Sequence, residues 1–312
     1  MPDDLPSAEP GPRAASQLAV PVLVNASAGG GCDPEWARAL AAKFRDQGMA
    51  VDVSLVHAGE GLAQSLAAAI ARSPPLLVAG GGDGTLNTVA AALLDSRTTL
   101  GVLPMGTLNH FARDLGIPVD LDGAVRTAVH GRDVEVDTGE VGGRLFLNNS
   151  SIGIYPHFVM AREQHQRLGW PKGPAAVRAA IAALHRFPSV DVELEIDGKS
   201  VRRSTPCVFV GNNEYTLGGP GLGERERLDA GYLTVHVTRR IGRLGMFRLA
   251  LRALIGRLES DDDFDRFRVH ALRVHTRHAR IRVATDGEVG VLDAPLDYRV
   301  RPRALRVRVP AG

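Results

Sequence analysis

Residues 76–85 read Leu76-Leu77-Val78-Ala79-Gly80-Gly81-Gly82-Asp83-Gly84-Thr85, and this stretch decides the fold class. The apolar run is a short buried strand and the glycines behind it are a tight turn. Leu86, Val89 and Leu93 then recur on one face of an alanine-rich helix. Strand, turn and helix start together form one unit of an open, mostly parallel α/β sheet. Three consecutive glycines are more than turning requires. A glycine backbone lets a polyphosphate approach closely, and the N–H groups of a helix start favour an anion. No Gly-Lys-Ser/Thr follows, so the loop is not a Walker A loop, and its spacing is not the dinucleotide Gly-x-Gly-x-x-Gly. Asp83, among the glycines, is placed to meet Mg²⁺ or a donor phosphate.

Outward from this loop, apolar runs predict further strands over 18–24, 51–56 and 99–103, and helical patterns cover 34–47, 61–72 and 86–94. The first strand runs into Asn25-Ala26-Ser27-Ala28-Gly29-Gly30-Gly31 and the fourth into Pro104-Met105-Gly106-Thr107-Leu108-Asn109. Ligands of open α/β sheets bind at the carboxyl ends of strands. Asn25, Ser27, Gly106, Thr107 and Asn109 are therefore nucleotide-site candidates together with Gly80, Gly81, Gly82, Asp83, Gly84 and Thr85.

After Asp137 the texture becomes strand-like, with runs over 144–149, 190–196, 205–210, 232–237, 267–275 and 279–284. Asp197-Gly198 signals a hairpin and hence antiparallel pairing. Helical stretches at 175–187 and 244–258 interrupt these strands. The expected class is α/β plus β. A tail over 1–17 without fixed structure precedes an α/β nucleotide-binding domain over 18–136, with 299–312 a candidate to return to it. A β-rich, sandwich-like substrate domain spans 137–298, and the active site lies in the cleft between the two.

Composition narrows the function classes. The chain of 312 residues is 44% hydrophobic and 23% charged, which describes a globular protein. A formal net charge of +2 gives no argument for nucleic acid, although arginine is dense in the last third. Cys32 and Cys207 match no metal spacing and fit a reduced compartment. The first residues carry Asp3, Asp4 and prolines where a secretory signal needs a cationic start and an apolar run. No stretch approaches the roughly 18 apolar residues of a spanning helix. His57, His110, His157 and the histidines at 270–278 form no zinc pattern, and Trp36 and Trp170 read as packing.

Gly81 to Thr85 is similar to the Gly-Gly-Asp-Gly-Thr nucleotide loop of the diacylglycerol kinase catalytic family, and Gly106-Thr107-Leu108-Asn109 resembles its second loop. Asn25 to Gly29 resembles its first, with Ala26 replacing proline. The likeness extends from residue 18 onward and is strongest to the bacterial lipid kinases, with sphingosine kinases more distant. NAD kinases and phosphofructokinases share the glycine loop alone. The resemblance implies ATP and Mg²⁺ as cofactors and a lipid hydroxyl as acceptor, diacylglycerol by default. It also gives Asp286-Gly287-Glu288 a role, with Asp286 as general base and Glu288 near the nucleotide or metal; without it, Asp-Gly is a common turn.

Two departures bear on this expectation. Asn109-His110 stands where many members have Asn-Asp, which leaves the acceptor headgroup open. Asp229-Ala230-Gly231-Tyr232-Leu233 stands for the family's Asp-Asp-Gly-x-Leu. Asp229 is therefore a weak candidate for an auxiliary Mg²⁺ site that lacks one carboxylate.

Within 241–258, Leu244, Phe247, Leu251, Leu254, Ile255 and Leu258 recur near helical spacing, with Arg243, Arg248, Arg252 and Arg257 between them. Such a basic amphipathic helix either covers the β-rich domain or lies on an anionic bilayer. Asn148 and Asn149 are candidates to line the acceptor pocket. The sequence thus leads to a cytoplasmic lipid kinase with lipid as partner, with peripheral contact at the inner face of a membrane through 241–258 and a homodimer both left open. The alternatives are an NAD kinase-like enzyme and a non-catalytic lipid- or nucleotide-binding protein of the same fold.

Overall fold

A computed structural model describes residues 19–153, 189–216, 224–239 and 264–312. The helices expected at 175–187 and 244–258 lie outside these residues, as do the tail, His157 and Trp170. The first sheet begins with parallel strands β1 (Val20–Asn25), β2 (Val51–Val56), β3 (Leu76–Gly81) and β4 (Thr99–Pro104), in the order β2-β1-β3-β4. Helices α1 (Pro34–Asp46), α2 (Glu60–Ala71), α3 (Asp83–Leu93), α4 (His110–Asp114) and α5 (Leu121–His130) join or follow them. β3 and β4 are buried along their whole length, as expected of central parallel strands covered on both faces. Leu77, Val78, Leu86, Val89 and Leu103 lie at the centre of this core.

The remaining strands are β5 (Arg132–Val141), β6 (Arg144–Phe146), β7 (Asn149–Gly153), β8 (Val190–Ile196), β9 (Lys199–Thr205), β10 (Cys207–Asn212), β11 (Leu233–Thr238), β12 (Phe264–Val269), β13 (Ala271–Thr276), β14 (Arg280–Thr285), β15 (Glu288–Asp293) and β16 (Leu296–Val309). A six-stranded antiparallel sheet of order β12-β11-β10-β7-β14-β15 packs a second core against β13, β8 and the near end of β16. The class is α/β plus a β-sandwich.

One strand serves both halves. β16 pairs antiparallel with β13 at Leu296 to Arg299, and Val307 stands parallel beside Leu100 of β4. Between these ends it bulges at Arg301 to Leu305 against β5. Arg303 is left-handed there, and its N–H is held by Asp137 Oδ1 at 2.9 Å. The arginine density of the C-terminus is absorbed in this ribbon: Arg299, Arg306 and Arg308 stand opposite Glu140, Glu135 and Asp133 and pair with them.

Two expected strands are each two, and one observed strand was not expected. The run 144–149 divides into β6 and β7, because the N–H groups of Leu147 and Asn148 leave the ladder for Asp286. The run 205–210 becomes β10, which Pro206, having no N–H to donate, separates from β9, the strand over 199–205 that was not expected. The run 267–275 divides at His270, where the chain passes from one sheet to the other. The helix expected from residue 86 starts at Asp83, so the glycine loop is already its first turn. The strand predicted from 279 starts at Arg280 and ends in the Asp286-Gly287 turn.

Candidate active site

The three strand-end loops meet. Asn25 Nδ2 donates to Thr85 Oγ1 at 3.2 Å, while Asn25 Oδ1 accepts from Ser27 N at 3.1 Å. One side chain thereby ties the first loop to the start of α3. Asn109 adopts a left-handed backbone (φ 51°) and folds back on Gly106, accepting from its N–H at 2.8 Å and donating to its carbonyl at 3.0 Å. Met105 N donates to Gly81 O at 2.9 Å, which holds the second loop on the glycine turn.

These contacts shape a cleft of about 790 Å³ walled by Asn25, Ser27, Gly82, Gly84, Thr85, Gly106, Thr107 and Glu288, among others. Gly80 and Gly81 are buried in β3 and Asn109 is buried behind its loop, so these three shape the wall without forming its surface. A methyl group at Gly106 would stand 2.6 Å from the Gly82 Cα, a backbone collision that no rotamer relieves. At Gly84 it would stand 2.5 Å from Glu288 Oε1. The glycine turn of the α/β half and the Asp-Gly-Glu turn of the sandwich are therefore in direct apposition. Asp83 opens α3 behind N-cap Gly82, between wall residues Gly82 and Gly84 but not itself in the wall, and its Oδ1 is buried with no hydrogen-bond partner among the described residues. A buried acceptor left bare costs about 1 to 3 kcal/mol, so this oxygen is prepared for a donor or a cation.

Asp286 stands in the β14–β15 turn with φ 48°. Its Oδ2 accepts from Leu147 N at 2.7 Å, and its Oδ1 from Asn148 N at 2.8 Å and Asn149 N at 3.0 Å. Its own N–H donates to Asn149 O at 2.9 Å. Burial pushes this carboxyl up to about 6, against the opposing pull of the three N–H donors and of Arg225. A carboxylate offers about four lone-pair positions. Oδ2, with one donor, retains room for a further one, although Asp286 itself is not a wall residue of the cleft, which its turn reaches through Glu288.

Asn148 and Asn149 thus orient Asp286 through their backbone, and the Asn148 side chain faces Arg225 rather than open space (Oδ1 to Nη2, 2.7 Å). Asp229 does not line the cleft. Its carboxylate holds Arg227 Nε at 3.1 Å, which keeps its pKa low. Among the described residues no group of three or more His, Cys, Asp or Glu side chains gathers as a metal cluster. Among the described residues, the carboxylate of Asp229 is paired with Arg227 and joins no such cluster.

Sequence reasoning missed Arg225, Asp114, Asn212 and Tyr215. Arg225 lies in a run of alternating charges, Glu224-Arg225-Glu226-Arg227, that reads as a solvated surface. Instead its side chain is fully buried against Asp114 at 2.7 Å. Its guanidinium lies 5.4 Å from the centre of the Tyr215 ring, whose hydroxyl burial pushes up to about 12.

Comparison with known proteins agrees with this arrangement. The model of the diacylglycerol kinase catalytic domain matches residues 19–141, and that of the YegS C-terminal NAD kinase beta sandwich-like domain matches 158–309. Residues 19–141 are thus similar to the diacylglycerol kinase catalytic family, and the sandwich half to the domain that the second model describes. Diacylglycerol kinases of Staphylococcus aureus strains JH9 and Newman are each 34% identical over 163 residues, 51% of this chain. The chain spans about half the length of these curated relatives (51%). A diacylglycerol kinase crystal structure from Bacillus anthracis str. Sterne superposes with a TM-score of 0.67 at 22% identity, covering 93% of this chain and 96% of the other chain. A second structure from that organism gives a TM-score of 0.73 at the same identity, and both likenesses concern the fold. No helix among the described residues is long and apolar enough to cross a membrane.

Proposed function

We propose that this protein transfers the γ-phosphoryl group of ATP to a lipid hydroxyl, with a diacylglycerol-like acceptor. The observation that carries the reading is the apposition of Gly84 and Glu288, which brings the phosphate-cradling turn and the Asp286 turn to one cleft. Phosphoryl transfer asks chiefly for alignment and charge neutralisation. Gly82, Gly84 and Gly106 leave the backbone bare for the donor phosphates, Asn25 and Thr85 fix the cradle, and Glu288 borders the nucleotide from the sandwich side. The bare Asp83 oxygen fits Mg²⁺, which takes one or two carboxylates and fills its shell with phosphate oxygens and water. When bound, the ion would neutralise charge on the donor phosphates.

Asp286 acts as general base. A carboxyl titrating at about 6 is ionised at neutral pH, yet more basic than a free aspartate. Three N–H groups fix its direction, and the spare lone pair of Oδ2 accepts the acceptor's hydroxyl proton. The acceptor arrives from a bilayer. The basic amphipathic segment at 241–258 supports peripheral contact with an anionic surface, and the compartment proposed is the cytoplasm.

The test supplies the purified protein with Mg²⁺ and ATP labelled at the γ-phosphate, together with diacylglycerol, phosphatidylglycerol, sphingosine and NAD in detergent micelles. A labelled lipid made by the parent protein, and lost together with ATP binding in Gly106→Ala, is the expected result. Label in NADP alone would replace this reading by the NAD kinase one, to which the sandwich-domain match also points. ATP binding with no labelled product would favour the non-catalytic reading.

A further inference from the structure

Arg225 is placed where no surface residue of its type would be. Its side chain is 0% exposed and that of Asp114 5%. All of its donors are used. Nε and Nη2 face Asp114 Oδ2 at 2.7 Å, and Nη2 also donates to Asn148 Oδ1 at 2.7 Å. Nη1 donates to the carbonyls of Leu147 at 2.7 Å and Asn212 at 3.1 Å.

The segment gripped in this way is the one that holds Asp286. Leu147, Asn148 and Asn149 turn their N–H groups to the Asp286 carboxylate, while the Leu147 carbonyl and the Asn148 side chain turn to Arg225. Asn212 reinforces the same side, donating from Nδ2 to Leu147 O at 2.9 Å and from its backbone to Asn148 O at 2.9 Å. The order of groups is Asp114 carboxylate, Arg225 guanidinium, peptides 147–149, Asp286 carboxylate, running from α4 of the α/β half to the hairpin turn of the sandwich. A cation on the carbonyl side of a peptide polarises it and strengthens the bond its N–H donates.

We infer that Arg225 is the positioning residue of the active site: buried against Asp114, it fixes the 147–149 segment whose three N–H groups aim the Asp286 carboxylate. This inference rests on the kinase reading only for its consequence in turnover. The geometric link between Arg225 and the three amides is independent of the reaction. Arg is required rather than Lys, because a planar fork grips two acceptors and a carboxylate at once, whereas an ammonium is a single point. Truncation of one partner would strand a buried charge, so the informative changes keep the charge or remove both.

The experiment compares the parent with Arg225→Lys, with the neutral pair Arg225→Gln plus Asp114→Asn, and with Asn148→Ala, which deletes one acceptor and leaves both charges. Hydrogen exchange of the Leu147, Asn148 and Asn149 amides is read by NMR against amides of β3, beside turnover and Mg·ATP affinity. Expected is a loss of protection of about tenfold or more at the three amides, relative to β3, in the first two variants and a smaller loss in Asn148→Ala. Turnover should fall by about tenfold or more with Mg·ATP affinity within about twofold, since the cradle is untouched. Unchanged relative protection in any folded Arg225 variant would overturn the inference, as would loss spread equally over β3. If both Arg225 variants fail to fold, unchanged exchange in Asn148→Ala overturns it. A parent that phosphorylates no lipid but shows the amide effect would refute the kinase reading and leave the positioning role intact.

Discussion

The chain contains the same two-residue turn twice in its sandwich half. Asp197-Gly198 joins β8 to β9 and Asp286-Gly287 joins β14 to β15; φ is 49° and 75° in the first, 48° and 83° in the second. Positive φ at both residues is what a two-residue hairpin loop demands, and Asp-Gly supplies it in each case. The surroundings differ. Asp197 and Gly198 are exposed at the end of the outermost hairpin of the larger sheet. Asp286 instead turns its carboxylate onto three peptide N–H groups, and Glu288 behind it meets the glycine loop. Local sequence sets the backbone of both turns; the packing of distant segments buries and binds the carboxylate of only one of them.

The largest break in this comparison is expected from neutralising each aspartate. Asp286→Asn should lower turnover by about a hundredfold or more, the usual scale of a lost general base, and Asp197→Asn should leave it within about twofold. Steady-state rates at saturating Mg·ATP check both, with circular dichroism to confirm folding. Comparable losses in the two variants would remove the distinction between the turns.

A pH series sharpens the contrast. Because the base must be ionised, kcat/KM should fall as pH drops through about 6. Stability moves in the opposite sense. The folded-state pKa of Asp286 lies above the ordinary carboxyl value of 3.8, so its contribution is fully present below the unfolded value and is lost as pH rises towards about 6. The span corresponds to roughly 2 to 3 kcal/mol by the pKa–energy relation. Denaturant titrations of parent and Asp286→Asn at pH 4 and 7 should reveal it, with the parent's relative advantage greater at the lower pH. Asp197→Asn should show no such difference.

The smallest effect belongs to the exposed turn. Gly198→Ala meets no atom within 4 Å but must adopt φ 75°. It should cost about 1 kcal/mol of stability in thermal or denaturant unfolding, with turnover unchanged. A larger loss would mean that this hairpin packs against more than the described residues show.

Much of the fold was legible because its signals are local. The apolar run before Gly80, the periodic Leu86, Val89 and Leu93, and the Asp197-Gly198 dipeptide each specify conformation within a few residues. The errors fell where distant chain competes. Leu147 and Asn148 look like strand interior but spend their N–H groups on Asp286, 139 and 138 residues away. His270 looks like a strand residue and is the crossing point between sheets.

By itself the sequence determined the strand, glycine turn and helix unit, the three loops at one sheet edge and the placement of Asp83 among the glycines, because those depend on side-chain type and short-range periodicity; Asp286 and Glu288 were singled out only by the family resemblance. Only the tertiary structure decided that Glu288 reaches Gly84, that Asp286 is raised in pKa and aimed by peptides 147–149, and that Arg225 is a buried clamp. The reason is physical: burial, desolvation and hydrogen-bond direction are properties of the space between segments. Short-range pattern carries no record of which segments will share that space.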